Sequence, residues 1–140
     1  MTREEITAFF DRRQDALERR DATALAGLHS DSGTLESAMA GTLVGRAEHE
    51  RFYAGLFSAF PDFRYEPGDL WIDGNRVAQS ATFGGTNIGG FMGLPPSGKQ
   101  VRVPAVFLFK LKDLQIEWMR SVYDFTLMLV QAGVLKIKTN

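Results

Sequence analysis

Apolar residues Ile6, Phe9, Phe10 and Leu17 recur at helical spacing up to about Arg20. Ahead of them Thr2-Arg3-Glu4-Glu5 fits a capping box, in which the Thr2 hydroxyl and the Glu5 carboxylate each satisfy a free N–H. Asp21 suits the N-cap of a short second helix, ATALAGLH. GTLESAM reads as a short strand followed by a loop from Gly41 to Gly45. A third helix is expected from about Arg46 to Ala59, with Phe52, Leu56, Phe57 and Phe60 on its apolar face and Pro61 as its stop. The period then changes. FRYEPGDLWI, RVAQSATFGG, VRVPAVFLFKLK and IEWMRSVYDF are β-like stretches joined by turn signals, Asp73-Gly74 being the clearest hairpin. FTLMLVQAGV closes the pattern as a short helix ending near Gly133.

Helices first and strands afterwards predict an α+β domain over residues 1–140, with an antiparallel sheet. Val101, Val103, Phe107, Phe109 and Leu111 share one strand parity and point to the core. Val106 and Leu108, of opposite parity, are also apolar. That second greasy face predicts a homodimer through the outside of the sheet.

Composition narrows the function classes. The chain has 140 residues, 44% hydrophobic and 24% charged, with a net charge of −1. This is a globular balance with no basic footprint for nucleic acid or an acidic membrane surface. No apolar run reaches the roughly 20 residues that span a bilayer, and the opening MTREEITAFFDRRQ is too charged for a signal peptide. The absence of cysteine excludes thiol catalysis and thiolate metal sites and fits a cytoplasmic location. With His29 and His49 the only histidines, no metal site is expected.

GLPPSGKQ comes close to the phosphate-cradling pattern, but Gln100 stands where a hydroxyl should be, and Pro95 and Pro96 offer no N–H. A strand follows instead of a helix. The whole loop, GGTNIGGFMGLPPSG, holds six glycines and is too long for a tight hairpin. Its Phe91 and Met92 suit a lid over a pocket mouth, and Asn87 suits a neutral hydrogen-bonding group reaching inward. The alternative is a structural loop tucked onto the sheet. In IEWMRSVYDF, alternation sets Trp118, Arg120, Val122 and Asp124 on one face and Glu117, Met119, Ser121 and Tyr123 on the other. The first face mixes an indole, a guanidinium and a carboxylate, so it is the candidate pocket lining, with Asp124 as general acid or base. On a straight strand Arg120 and Asp124 are about 13 Å apart, too far for a direct pair. Spacing alone favours Asp124 as the cap of the last helix. His29 reads as a pocket residue or, more simply, a histidine at a helix C-terminus, and His49 as a solvated one.

Three segments, GTLVGRAEHERFYAGLFSAFPDF, GTNIGGFMGLPPSGKQVRVP and IEWMRSVYDFTLMLVQAG, together resemble the SnoaL-like polyketide cyclase and ester cyclase family. Its members read close to "G…GR…F…AFPD", "GTHxGxFxGxPPTGK" and "I…RxYxDxxxLxxQLG". The resemblance runs from Gly41 to Gly133, and AFPD at Ala59–Asp62 and the glycine loop before PPSGK are its most specific parts. It implies the cone-shaped α+β barrel of the nuclear transport factor 2-like superfamily, a bent antiparallel sheet around helices and an apolar pocket. It also implies aldol-type ring closure without metal or organic cofactor, the proton being moved by an aspartate at the position of Asp124. Asp124 can both cap and catalyse. The sequence departs from the family in having Asn87 where GTH has histidine, which removes a proton-exchanging group. Leu114 likewise replaces a common glycine.

The expected function is therefore a cyclase or isomerase acting on a small apolar carbonyl or polyketide-like ligand. Asp124 would be the base, and Asn87, Trp118, Arg120, Phe91, Met92 and His29 would bind substrate. A ligand-binding dimer without chemistry and an epoxide-hydrolase-like enzyme are the alternatives.

Overall fold

The computed structural model describes residues 1–136 of the chain. Two helices come first, α1 (Arg3–Glu18) and α2 (Ala22–Gly27), followed by strands β1 (His29–Ser37) and β2 (Gly41–Val44) and helix α3 (Arg46–Ala59). The remainder is β3 (Arg64–Asp73), β4 (Arg76–Thr86), β5 (Gln100–Lys112), β6 (Gln115–Tyr123) and a terminal α4 (Phe125–Gln131). The α+β order is as the pattern predicts. Both sides of the capping box at Thr2 are made, and Asp21 caps α2 through the Ala24 N–H. The expected loop at Gly41–Gly45 is instead mostly strand β2, because Thr34 to Ser37 of β1 offers it a ladder.

The sheet runs β2-β1-β6-β5-β4-β3 and does not close. All its pairings are antiparallel except β1 with β6, which is parallel. The antiparallel sheet expected from the sequence thus carries one parallel pair. A strand that precedes α3 and the β3–β6 meander can return beside the last strand in parallel, which local spacing does not reveal. Register shifts between Pro67 and Leu70, and between Lys110 and Leu111, bend the sheet where it meets the helices.

Val101, Val103, Phe107, Phe109 and Leu111 are all buried, as their shared parity predicts. Helix α1 lies against this face, with Phe10 edge-on to Phe109 at 4.9 Å. Ile6, Phe9, Phe10, Ala16 and Leu17 are buried on α1, and Arg13 is buried in the middle of the same stripe. None of the helices described is long and apolar enough to cross a membrane.

Candidate functional site

Between the helices and the concave sheet face lies a small cavity of about 50 Å³. Its wall is mostly apolar, including Leu17, Leu35, Phe63, Phe83, Phe107 and Met119, with the polar groups of Arg13, Tyr53, Tyr65, Ser121 and Tyr123 among them. Arg13 is only 3% exposed. It sits where an i, i+3/i+4 stripe calls for an apolar residue, between Phe9/Phe10 and Leu17, so helix geometry carries it inward. Its guanidinium carbon stands 5.0 Å from the ring centres of Tyr65 and of Phe109, and 5.8 Å from that of Phe107. The aromatic faces supply part of the solvation that burial removes.

Among the described residues Arg13 has no carboxylate partner. Its Nη1 donates to Gln79 Oε1 over a long 3.5 Å, while the Tyr65 hydroxyl donates to the same oxygen at 2.5 Å. Its Nε–H is buried without a partner. No Asp or Glu is among the described residues that line the cavity. Burial pushes the Tyr53 and Tyr65 hydroxyls above their ordinary pKa, and the Arg13 charge offsets part of that rise. Burial likewise takes Tyr123 up to about 12.

Behind Tyr53 stands a histidine pair. His29 Nε2 and the Tyr53 hydroxyl share a hydrogen bond of 2.9 Å, and the His29 and His49 rings lie 4.3 Å apart. Both histidines are fully buried, which corrects the expectation that His49 is solvated; His29 follows the end of α2 as the first residue of β1. Burial, then the charges of His49, Arg13 and Arg46, lower the pKa of His29 to about 3. Burial lowers that of His49 as well. The pair is neutral at physiological pH. Arg46 holds the chain around His29: it donates to the His29 carbonyl at 2.7 Å and pairs with Asp31 at 2.7 Å.

The residues expected at the site do not line this cavity. Phe107, Phe109 and Ala105 of β5 face Ser121, Met119 and Tyr123 of β6. Directly opposed residues of an antiparallel pair share a face, so Met119, Ser121 and Tyr123 point inward and Trp118 and Arg120 outward. Arg120 pairs with Glu36 at 2.6 Å and stacks on Trp118, 5.7 Å from its centre. Asp124 is exposed, and its Oδ1 accepts the Leu127 N–H at 3.0 Å as the cap of α4. Asn87 is fully buried but turns into its own loop, donating to the Pro95 carbonyl and Ser97 Oγ and accepting from the Gly90 N–H. The loop is clasped to the end of α3, since Ile88 and Gly89 both donate to the Ala59 carbonyl at 3.1 Å. Phe91 is buried against Phe60, and Met92 is half exposed. Both border an outer groove of about 570 Å³ between α3 and the loop. His29 reaches the cavity only through Tyr53.

The family profile of the SnoaL-like polyketide cyclases matches residues 8–132. The chain belongs to this family. No curated protein sequence matches it at a significant level. Among solved structures, a candidate SnoaL-like polyketide cyclase from Jannaschia sp. CCS1 is 24% identical, with a TM-score of 0.84 over 95% of this chain and 94% of that one. AclR, a candidate hydroxylase from Streptomyces galilaeus, is 25% identical, with a TM-score of 0.81 over 96% and 100%. A Catenulispora acidiphila protein of ketosteroid isomerase-like fold, solved with trimethylamine, is 21% identical, with a TM-score of 0.76 over 96% of each chain. This SnoaL-like chain thus shares the ketosteroid isomerase-like fold, and the open, bulged sheet is its version of the cone.

Proposed function

We propose that this SnoaL-like chain binds a small apolar carbonyl or polyketide-like compound in the interior cavity and promotes ring closure or isomerisation there by stabilising an enolate. The observation that carries the reading is Arg13: a buried guanidinium, unpaired with any described carboxylate, set in the wall of an aromatic cavity. A fixed positive charge in a water-poor site is worth most where negative charge develops in a transition state. As a proton leaves the carbon next to the substrate carbonyl, charge grows on the carbonyl oxygen, and in this reading the unpartnered Arg13 Nε–H receives it, Tyr65 being committed to Gln79. The proton passes to the Tyr53 oxygen as Tyr53 hands its own to the neutral His29 Nε2, so the base in this reading is the Tyr53–His29 pair, and the reverse transfer returns the proton to the product. Asp124, to which the family resemblance assigns proton transfer, holds the start of α4 beside Tyr123 in this reading. As part of the same proposal the protein is a homodimer through the outer sheet face, where Val106, Val122 and Trp71 are 38%, 50% and 54% exposed.

The test is hydrogen–deuterium exchange at the carbon beside the carbonyl of aryl methyl ketones and aryl 1,3-diketones, followed by NMR in D2O. Exchange faster than in buffer and proportional to protein is the expected result. A second reading, ligand binding without chemistry, is favoured by the lack of a described carboxylate in the cavity wall and by tyrosine and histidine groups held far from neutral pKa. Saturable binding of these ketones with no exchange above buffer selects it.

A further inference from the structure

The cavity is too small for its proposed ligand. Its volume of about 50 Å³ admits a few waters or one polar head group, whereas ligand pockets typically hold about 300–1,000 Å³. Met39, Phe52 and Leu56 resolve this mismatch, because each lines both the cavity and the larger outer groove of about 570 Å³. They form a partition of three apolar side chains between the two spaces. Leu56 and Phe52 stand a turn apart on α3, and Met39 belongs to the β1–β2 turn. At the inner end of the resulting path stands Arg13, with its unpartnered Nε–H. At the outer end lie Phe91, Met92 and Leu94 with the glycine-rich backbone, and the groove carries one charged lining residue, Arg51.

We infer that the ligand is an acidic amphiphile, a compound with an anionic oxygen at one end and an apolar body, bound with the anion on Arg13 and the body passing between Met39, Phe52 and Leu56 into the groove beside the 89–94 loop. This rests on the cavity being the ligand site and adds the ligand's charge and direction. Charge complementarity carries it. An arginine keeps its charge wherever it is placed, and a buried charge without a partner is strongly unfavourable. Three aromatic rings and one long bond to a neutral amide are partial compensation. A carboxylate, phenolate or enolate oxygen would complete it with charge-assisted hydrogen bonds. The groove's Arg51 is 71% exposed and held by Glu48, so the inner guanidinium is the stronger anion site, and the apolar partition selects against a small hydrophilic anion.

The experiment compares binding of 2-naphthoate and 2-naphthamide, the same ring system with and without charge, by NMR titration of the purified protein. The expected result is that naphthoate binds about tenfold or more tighter, as for a charge-assisted over a neutral hydrogen bond. Inorganic phosphate should not compete, because it lacks the apolar body. Arg13→Met should abolish the preference while neutral binding persists, and Phe52→Trp should weaken both probes by crowding the partition. Equal affinity for the two probes overturns the inference while leaving the cavity as a neutral-ligand site. Preference surviving in Arg13→Met overturns it too, by placing the anion elsewhere. If neither probe binds, the acidic amphiphile is wrong, whereas the ketone-exchange test of the enzyme reading stands or falls separately.

Discussion

Acid should destabilise this protein well before its carboxylates titrate, because two histidines are folded into its interior as neutral rings. His29 is the better case for working the size of the effect. Its pKa falls from 6.5 in the open chain to about 3 in the fold, through burial first and then the neighbouring His49, Arg13 and Arg46. The sign follows from proton counting. Below pH 6.5 the unfolded chain binds a proton at His29 that the folded chain refuses, so stability is full above pH 6.5 and declines as pH falls toward 3. Each unit of difference is worth 1.36 kcal/mol. Between pH 7 and pH 5 the loss from His29 alone comes to about 2 kcal/mol, and it reaches about 4 kcal/mol by pH 3. His49, lowered in the same direction by burial, adds to the slope. Asp62, whose pKa is lowered by hydrogen bonds from Thr86, stabilises the fold at neutral pH and loses that contribution only as pH falls from the ordinary carboxylate range toward its lower folded value. Urea unfolding at half-unit steps from pH 7.5 to 5 should therefore show a falling midpoint at constant m-value. His29→Gln should be less stable at pH 7.5, through loss of the Tyr53 contact, yet show a shallower dependence on pH. A flat profile from pH 7 to 5, or an unchanged slope in His29→Gln, would refute the reasoning.

Gly84→Ala should cost about 3 kcal/mol in chemical denaturation, since a Cβ there would lie 1.8 Å from the Val101 carbonyl oxygen; stability within 0.5 kcal/mol of the native protein, the ordinary range for a surface change, would contradict the β4–β5 geometry. Arg13→Met should leave thermal stability unchanged or raise it by about 1–3 kcal/mol, as replacing buried charge by apolar volume often does; a large loss would mean that the guanidinium is structural. Val122→Glu on the outer sheet face should convert a dimer to a monomer in light scattering at micromolar concentration, and a native protein that is already monomeric would remove the dimer from the proposal.

The elements were legible because each carries its own local period or cap. The β5 parity, Val101 to Leu111, found the core face directly, and the capping signals at Thr2 and Asp21 found their helices. Long-range features were not: β2 needs β1 to become a strand, and the parallel β1–β6 pair joins residues 84 apart in the Glu36–Arg120 contact. The inward face of β6 was missed for a more instructive reason. Alternation in β6 gives two faces without saying which is inside, and chemistry-rich Trp118, Arg120 and Asp124 drew the assignment outward. The neighbouring strand alone would not have corrected it. A two-residue turn at Asp113-Leu114 pairs Lys112 with Gln115 and Leu111 with Ile116, a register that carries the β5 core parity on to Trp118 and Arg120; the bulge between Lys110 and Leu111 reverses it and brings Met119, Ser121 and Tyr123 inward. Arg13 had a signal of its own, a charge in the middle of the Ile6–Leu17 apolar stripe. Tyr53, Tyr65 and Gln79 had none, since a buried tyrosine or glutamine looks like any other until its neighbours are known.

The central claim is that chemistry or binding in this SnoaL-like chain is centred on the buried Arg13 and not on the exposed Asp124. The most direct measurement is the exchange rate of the best aryl ketone with three proteins at equal concentration: native, Arg13→Met and Asp124→Asn. Loss of one preorganised donor to an oxyanion typically costs about 10²- to 10³-fold, so Arg13→Met should fall by that much. Asp124→Asn, whose amide oxygen still caps α4, should stay within about threefold of native, which is about 0.6 kcal/mol. A collapse of exchange in Asp124→Asn with Arg13→Met near native would contradict the account and return proton transfer to the aspartate.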